Sequence, residues 1–395
     1  MKITKPEGLG RFGLIIEDFD FASIEAWQEL KELNLQHLVV YVKGNSSFDN
    51  FKDIAKNAPI LGRNRRTHEA MLAKKYGPEF YKFTHKWDEV DRMALRANAR
   101  WAQNVNLPVG WHYVKGELDE NGKSLGTFSG GQCLWHSNES GTYHFAPLVM
   151  LYGKQGMVGS STGFCSSTDW YERQTESFRS ELDELVAIHD YKPYSISPDG
   201  DNEHEAVMRR NFFLEGGAEI PLVIKSPGGI KGLHFTYSTT TNFKGMSVDE
   251  SEKLMKRLIK ELYTDEYIWN AWWQNNTGDI LLFDNTIVTH NRTVRDGLPV
   301  KELLSERVAI RSSWDYRNND YKPFYQEEYN QLRKNYTDSI FRNSDGFDKY
   351  YARKMIESLD DTERQMYISR YTAEQLAEIL AYDIHTADPQ LSRFV

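Results

Sequence analysis

Ile280-Leu281-Leu282-Phe283-Asp284-Asn285-Thr286-Ile287-Val288-Thr289-His290 carries more structural information than any other stretch of this chain. Four apolar residues of strand length end in Asp284-Asn285, a turn-type pair, and an imidazole follows five residues later. The pattern predicts a buried strand, a turn, and His290 at a strand end where a site can open to solvent.

A second stretch, Trp135-His136-Ser137-Asn138, lies far upstream. Two residues apart on a strand, His136 and Asn138 are expected to share a face and to reach one metal together. With His290 they have the sequence form of a two-His, one-carboxylate iron(II) site, in which three protein ligands cover one side of the metal. Here the neutral amide Asn138 stands where that form has a carboxylate.

Working outward, the chain predicts one core of short strands with helices at both ends. Leu148-Val149-Met150-Leu151-Tyr152, Leu222-Val223-Ile224 and Arg307-Val308-Ala309-Ile310-Arg311 read as strands separated by Gly, Asn and Ser, over about residues 131–316. Many short strands with glycine-bearing turns favour a sandwich or barrel. Ser247-Val248-Asp249-Glu250 is a capping box that opens a helix with Leu254, Leu258 and Leu262 in register. Near the start, Phe12 to Ile16 reads as a strand, Ser23 caps a helix over about Ile24–Leu33, and His37 to Val42 reads as a buried strand. About 51–105 reads as a helical insert. About 322–395 reads as a helical extension, including a capping box at Thr372-Ala373-Glu374-Gln375. The expected class is α+β, a single domain over 1–395.

A net charge of -9 argues against a general nucleic-acid binder, and Arg63-Asn64-Arg65-Arg66 is the clearest local basic run. Two cysteines, Cys133 and Cys165, imply no disulfide framework and a reducing compartment. The start lacks the apolar run of a signal peptide, and no apolar stretch approaches the ~20 residues that span a bilayer. The expectation is a cytoplasmic enzyme acting on a small molecule, with no membrane and no nucleic acid as partners and with homo-oligomerisation left open.

Arg307 and Arg311, four apart on a strand-like run, are expected on the same inward face. A buried guanidinium needs an anion, so an inward pair calls for a bound carboxylate or a partner Asp or Glu; two exposed salt bridges are the alternative.

The chain resembles the taurine dioxygenase family of iron(II)- and 2-oxoglutarate-dependent oxygenases. The matching pieces are Trp135-His136-Ser137-Asn138, Gly159-Ser160-Ser161-Thr162 with Tyr171-Glu172, Gly278-Asp279 running into Ile280–Asn285, His290, and Arg307 with Arg311. They span about residues 10–320, with Phe51 to Trp111 and the last seventy or so residues outside. The resemblance implies a double-stranded β-helix, or jelly-roll, of two facing sheets. It implies iron(II) held by His136, position 138 and His290, with 2-oxoglutarate and O2 as cosubstrates. It implies contacts of Thr162 and Arg307 with the 2-oxoglutarate carboxylate, with Arg311 beside them near cosubstrate or substrate. Gln132 falls where relatives present a polar group to the substrate.

Asn138 departs from that family's carboxylate and leaves three readings open. The amide ligates through oxygen and supports hydroxylation of an unactivated C–H bond, helped by a nearby carboxylate such as Glu139 or Asp169. It swings aside for water or chloride, as in related radical halogenases, which carry the smaller Gly or Ala there. Or the site is impaired and the chain is a binding protein. Substrate identity is not legible; candidate pocket residues are Trp111, His112, Tyr113, Tyr143, His144, Phe164 and His234-Phe235-Thr236-Tyr237.

Overall fold

Strand β2 (Leu14–Glu17), helix α1 (Ile24–His37) and strand β3 (Val39–Val42) open a right-sized crossover, and β2 pairs β3 in parallel. A parallel pair cannot be closed by a tight turn, so the helix between them is a topological necessity. Ser23 caps α1 by accepting from the Ala26 amide at 3.1 Å. The helix runs four residues past the expected Leu33, to His37, and the strand starts at Val39 rather than His37. Asn34 explains this. It lies buried on the helix and donates to the Leu38 and Leu282 carbonyls, each at 3.1 Å, tying the helix end to the sheet.

The structure is a computed structural model. It describes residues 1–64, 111–115, 133–141, 145–192, 213, 217–294, 307–315, 349, 352–353, 356–357, 368 and 371–383. The chain divides into two compact units, one of Met1–Arg66 with Gly110–Tyr321, the other of Thr67–Val109 with Lys322–Val395.

In the first unit, an eight-stranded sheet has the order β1 (Lys2–Thr4), β2, β3, β15 (Ile280–Asp284), β7 (Leu148–Gln155), β17 (Val308–Asp315), β4 (Arg63–Asn64), with β5 (His112–Lys115) also on β17. A four-stranded sheet has the order β14 (Ile268–Trp272), β8 (Ser160–Ser166), β16 (Val288–Val294), β6 (Cys133–His136). Alternation along the strands decides what fills the space between them. Leu281 faces Tyr41 and Leu151 in register, and Phe283 faces Val39 and Val149. These join Phe164, Ala271 and Val288 of the smaller sheet in one apolar cluster. The other face of the smaller sheet, through Cys165 and Ile268, packs against a second cluster that includes Leu258 and Leu262 of the helix Val248–Leu262. That helix carries the expected capping box between Ser247 and Glu250.

Asp279, fully buried before β15, accepts from the Tyr41 hydroxyl and from the Gly44 and Asn275 amides, the last two at 2.7 and 2.9 Å. The turn that delivers it needs Gly278 at φ +95°, a backbone conformation that L side chains rarely adopt. The Gly-Asp pair before the strand is therefore a structural latch.

In the second unit, the helix Ala373–Ala381 starts in the expected capping box of Thr372 and Gln375. Ile379 packs with Ala352 and Ile356 in a small core of its own. Of the expected insert, Phe51–Asn57 is helical in the first unit and leads through a turn at Ala58–Leu61 into β4; residues 65–105 and the rest of the extension lie outside the described residues. Among the described residues no helix is long and apolar enough to cross a membrane.

Candidate metal and cosubstrate site

His136 ends β6, and its Cα partner on the neighbouring β16 is His290. The two rings stand with centroids 4.2 Å apart. His290 is the third residue of β16 rather than a strand end as expected, because the turn closes earlier, at Asn285 to Ile287. His136 donates its Nδ1–H to the Leu134 carbonyl at 2.6 Å; a carbonyl only accepts, so the lone pair is on Nε2. A backbone partner of this kind is the usual support for a metal-binding imidazole. His290 is 6% exposed and its Nδ1 has no hydrogen-bond partner among the described residues. Burial first, then the neighbouring His136 and Arg311, holds its pKa well below the ordinary imidazole value, in the neutral form that can ligate.

Asn138 lies in the turn after β6, not on the strand, so the two-residue alternation expected for His136 and Asn138 does not apply. Asn285 places it instead. The Asn285 Oδ1 accepts from the Asn138 amide at 2.9 Å, and its Nδ2 donates to the carbonyls of Asn138 at 2.8 Å and Ala146 at 2.9 Å. This side chain pins position 138 on both sides of its backbone. The Asn138 side chain makes no hydrogen bond to a described residue and is largely buried. Among the described residues no group of three His, Cys, Asp or Glu side chains could hold a metal. The donor set is two neutral imidazoles and an amide, which fits a divalent cation less tightly than a set with an anion. Truncating the clamp, Asn285→Ala, is expected to lower unfolding free energy by about 2 kcal/mol, since three buried backbone groups lose their partner. Urea denaturation of the metal-free protein measures it.

The same turn contains a titrating group. Asp284 Oδ1 accepts from the Thr286 amide and hydroxyl and from the Ile287 amide, at 2.8, 2.6 and 3.0 Å. Burial outweighs these bonds and pushes its pKa from 3.8 up to about 6. A raised folded-state pKa means a contribution to stability that is complete below the unfolded value and lost as pH rises through the folded one. Relative to Asp284→Asn, the wild-type chain is therefore expected to lose about 2 kcal/mol between pH 4 and pH 7. Parallel curves for the two proteins across that window would exclude the effect.

The two arginines differ in what they meet. Arg307 precedes β17, is 4% exposed, and makes no hydrogen bond or ion pair to a described residue; its Nε is buried without a partner. Burial, then the nearby Arg292, pushes its pKa from 12.5 down to about 9, while the Cys133 thiol acts in the opposite direction. Arg292 lies opposite Thr162 and Cys133 in register, so Thr162 and the arginine nearest Arg307 share one level of the smaller sheet. Arg311 lies on β17 and donates to Glu139 at 2.8 Å. The register shift at Val308 and Ala309 is an extra residue on β7, Lys154, while β17 pairs β5 in unbroken register, so the alternation of β17 runs on from Val308 to Arg311.

Other expected residues fall elsewhere. Phe164 is fully buried in the apolar core, with its ring centroid 5.0 Å from Phe283 and 6.5 Å from His290, and exposes no surface to a substrate. Asp169 accepts from the Arg11 amide at 3.0 Å. Trp111 packs edge-on against Phe51 and Trp314. Phe235 is in the second core, and Tyr237 is exposed beneath Lys192. Gln132, Tyr143 and His144, and the side chains of His112 and Tyr113, lie outside the described residues.

One cluster joins His234, a candidate pocket residue, to partners that the sequence does not single out. His234 donates Nδ1–H to the Thr286 carbonyl at 2.6 Å, so its Nε2 accepts from the Ser140 hydroxyl at 2.9 Å. His189 meets Thr239 at 2.8 Å, and both imidazoles are kept neutral by burial. Ser140 thereby ties the loop after Asn138 to the turn before His290.

The chain belongs to the taurine catabolism dioxygenase TauD, TfdA family, whose model matches residues 4–305; Arg307 and Arg311 lie just beyond the match. By that membership it is an oxidoreductase, a dioxygenase. Its fold is similar to that of a taurine dioxygenase from Burkholderia xenovorans, at 15% identity and TM-score 0.51, over 79% of this chain and 88% of that one. It is also similar to AAD-2, solved in complex with Mn(II) and N-oxalylglycine, at 16% identity and TM-score 0.52, over 79% of this chain and 97% of that one. No curated protein sequence matches the chain.

Proposed function

We propose that this protein is an iron(II)- and 2-oxoglutarate-dependent oxygenase on a jelly-roll core that hydroxylates an unactivated C–H bond of a small molecule. The observation that carries the reading is the pairing of His136 with His290 across adjacent strands, rings 4.2 Å apart, in a chain of this family. The metal-and-ligand pair in the AAD-2 structure supports the cofactor assignment. N-oxalylglycine has the skeleton of 2-oxoglutarate with one methylene replaced by NH.

In this reading His136, Asn138 and His290 hold the metal, and Thr162 and Arg307 receive the distal carboxylate of 2-oxoglutarate. When bound, iron and cosubstrate supply the oxidising chemistry, coupling loss of CO2 from 2-oxoglutarate to oxidation of the substrate. The chain's own work is placement. His136 is oriented by the Leu134 carbonyl, Asn138 by Asn285, and a buried guanidinium meets a carboxylate without first shedding much water. Pinning of the Asn138 backbone favours an amide that stays at the metal, hence hydroxylation over halogenation. The cosubstrate carboxylate is assigned to Arg307 alone, because Arg311 already has an anion.

Calorimetry under anaerobic conditions tests the reading. One iron(II) per chain and 2-oxoglutarate binding that strengthens with metal are expected, with O2 uptake and succinate release on admitting air. Absence of both binding events would leave a binding protein on an oxygenase fold.

A further inference from the structure

Arg311 and Glu139 form the most deeply buried ion pair among the described residues, 2.8 Å apart with side chains 11% and 12% exposed. The remaining ion pairs lie toward the surface. Arg311 shares an inner-facing run of β17 with Ala309, a core residue, and a second donation reaches the Ser313 hydroxyl at 3.3 Å. Glu139 follows Asn138 directly and takes φ +59°, a left-handed conformation costly for a residue with a Cβ. That strained turn brings its carboxylate to a strand 172 residues downstream.

The two buried cations therefore differ in kind. Arg307 has no partner among the described residues and is ready for an anion, whereas the charge of Arg311 is already neutralised inside the protein. An anionic substrate group arriving at Arg311 has to displace Glu139 or stand beside a like charge, and both are unfavourable in a poorly solvated site. We propose that Glu139 is a specificity-determining residue that closes Arg311 to anions, so that the substrate presents an uncharged or cationic group at this wall and no sulfonate, carboxylate or phosphate. The inference rests on the oxygenase reading for the word substrate. It excludes taurine, a sulfonate, although taurine names both the family and a structural relative.

The test uses small probes on the metal-free full-length chain, so that it does not depend on catalysis. Ethanesulfonate and ethylammonium are titrated by calorimetry into wild type, Glu139→Gln, Glu139→Asp and the uncharged double variant Glu139→Gln/Arg311→Gln. Ethanesulfonate is expected to bind Glu139→Gln about tenfold or more tighter than wild type, a gain lost in the double variant because no guanidinium remains. Ethylammonium is expected to lose affinity in Glu139→Gln. If Glu139→Gln does not fold, Glu139→Asp, which shortens the reach of the carboxylate, is expected to show a smaller gain of the same sign. Equal ethanesulfonate binding by wild type and the single variants overturns the proposal, as does a gain that survives removal of Arg311, or no binding by any form. Iron and 2-oxoglutarate titration of the wild type separately decides the oxygenase reading.

Discussion

Asn138→Asp is expected to tighten iron(II) binding by about 100-fold, because losing even a supporting group outside the ligand sphere costs such sites about 10- to 100-fold. The argument starts from charge. His136 and His290 are neutral donors, and the amide oxygen of Asn138 adds no net charge. A carboxylate of nearly the same shape restores an anion without moving the backbone, since Asn285 holds position 138 through main-chain groups that the substitution leaves intact. Without metal the sign reverses. A buried carboxylate beside imidazoles is poorly solvated, so the metal-free variant is expected to melt at a lower temperature than wild type. Metal-dependent thermal shifts on both proteins read the two signs together, with and without chloride. Equal iron affinity in the two forms would make the amide an adequate ligand. A chloride-dependent product that persists in the Asp variant would contradict the idea that residue 138 occupies the position a halide needs.

What the sequence carried and what it hid follow from range. Local signals held up: the capping boxes at Ser247 and Thr372, the apolar run Ile280–Phe283, and the turn pair Asp284-Asn285 are each decided within a few residues. The two histidines were legible as a pair only because a motif links them, and their contact is a product of strand register. Spacing arguments failed where the backbone left ideal alternation. Asn138 sits past its strand end, so its two-residue spacing from His136 carries no shared face. Partner identity was hidden altogether. An inward arginine demanded an anion, yet nothing local selects Glu139 for Arg311, because the turn that joins them depends on a left-handed residue and on a strand far away in the chain. The Ser140–His234–His189 cluster was invisible for the same reason, since its members come from three separated segments.

Arg307→Ala is expected to weaken 2-oxoglutarate binding by about 30-fold at least, the equivalent of the ~2–5 kcal/mol lost when one partner of a buried, hydrogen-bonded charge pair is removed. Metal binding should change little, because the residue is not among the proposed ligands. Its effect on stability should run the other way. In the cosubstrate-free protein the guanidinium is buried and without a partner among the described residues, and its depressed pKa reports the cost of keeping it charged there. Arg307→Met, which keeps most of the volume and discards the charge, is therefore expected to stabilise the free protein by roughly 1–3 kcal/mol. A guanidinium retained for structure would behave in the opposite way: losing it would destabilise the fold and leave cosubstrate affinity unchanged. Guanidinium-chloride unfolding and 2-oxoglutarate calorimetry on the same two variants distinguish these outcomes. A stabilised protein that no longer binds the dicarboxylate would identify Arg307 as a cation held in a costly place for a ligand. The contrast with Arg311, whose loss would remove the cation buried against Glu139 and destabilise the fold, follows from the Glu139 carboxylate meeting Arg311 and not Arg307.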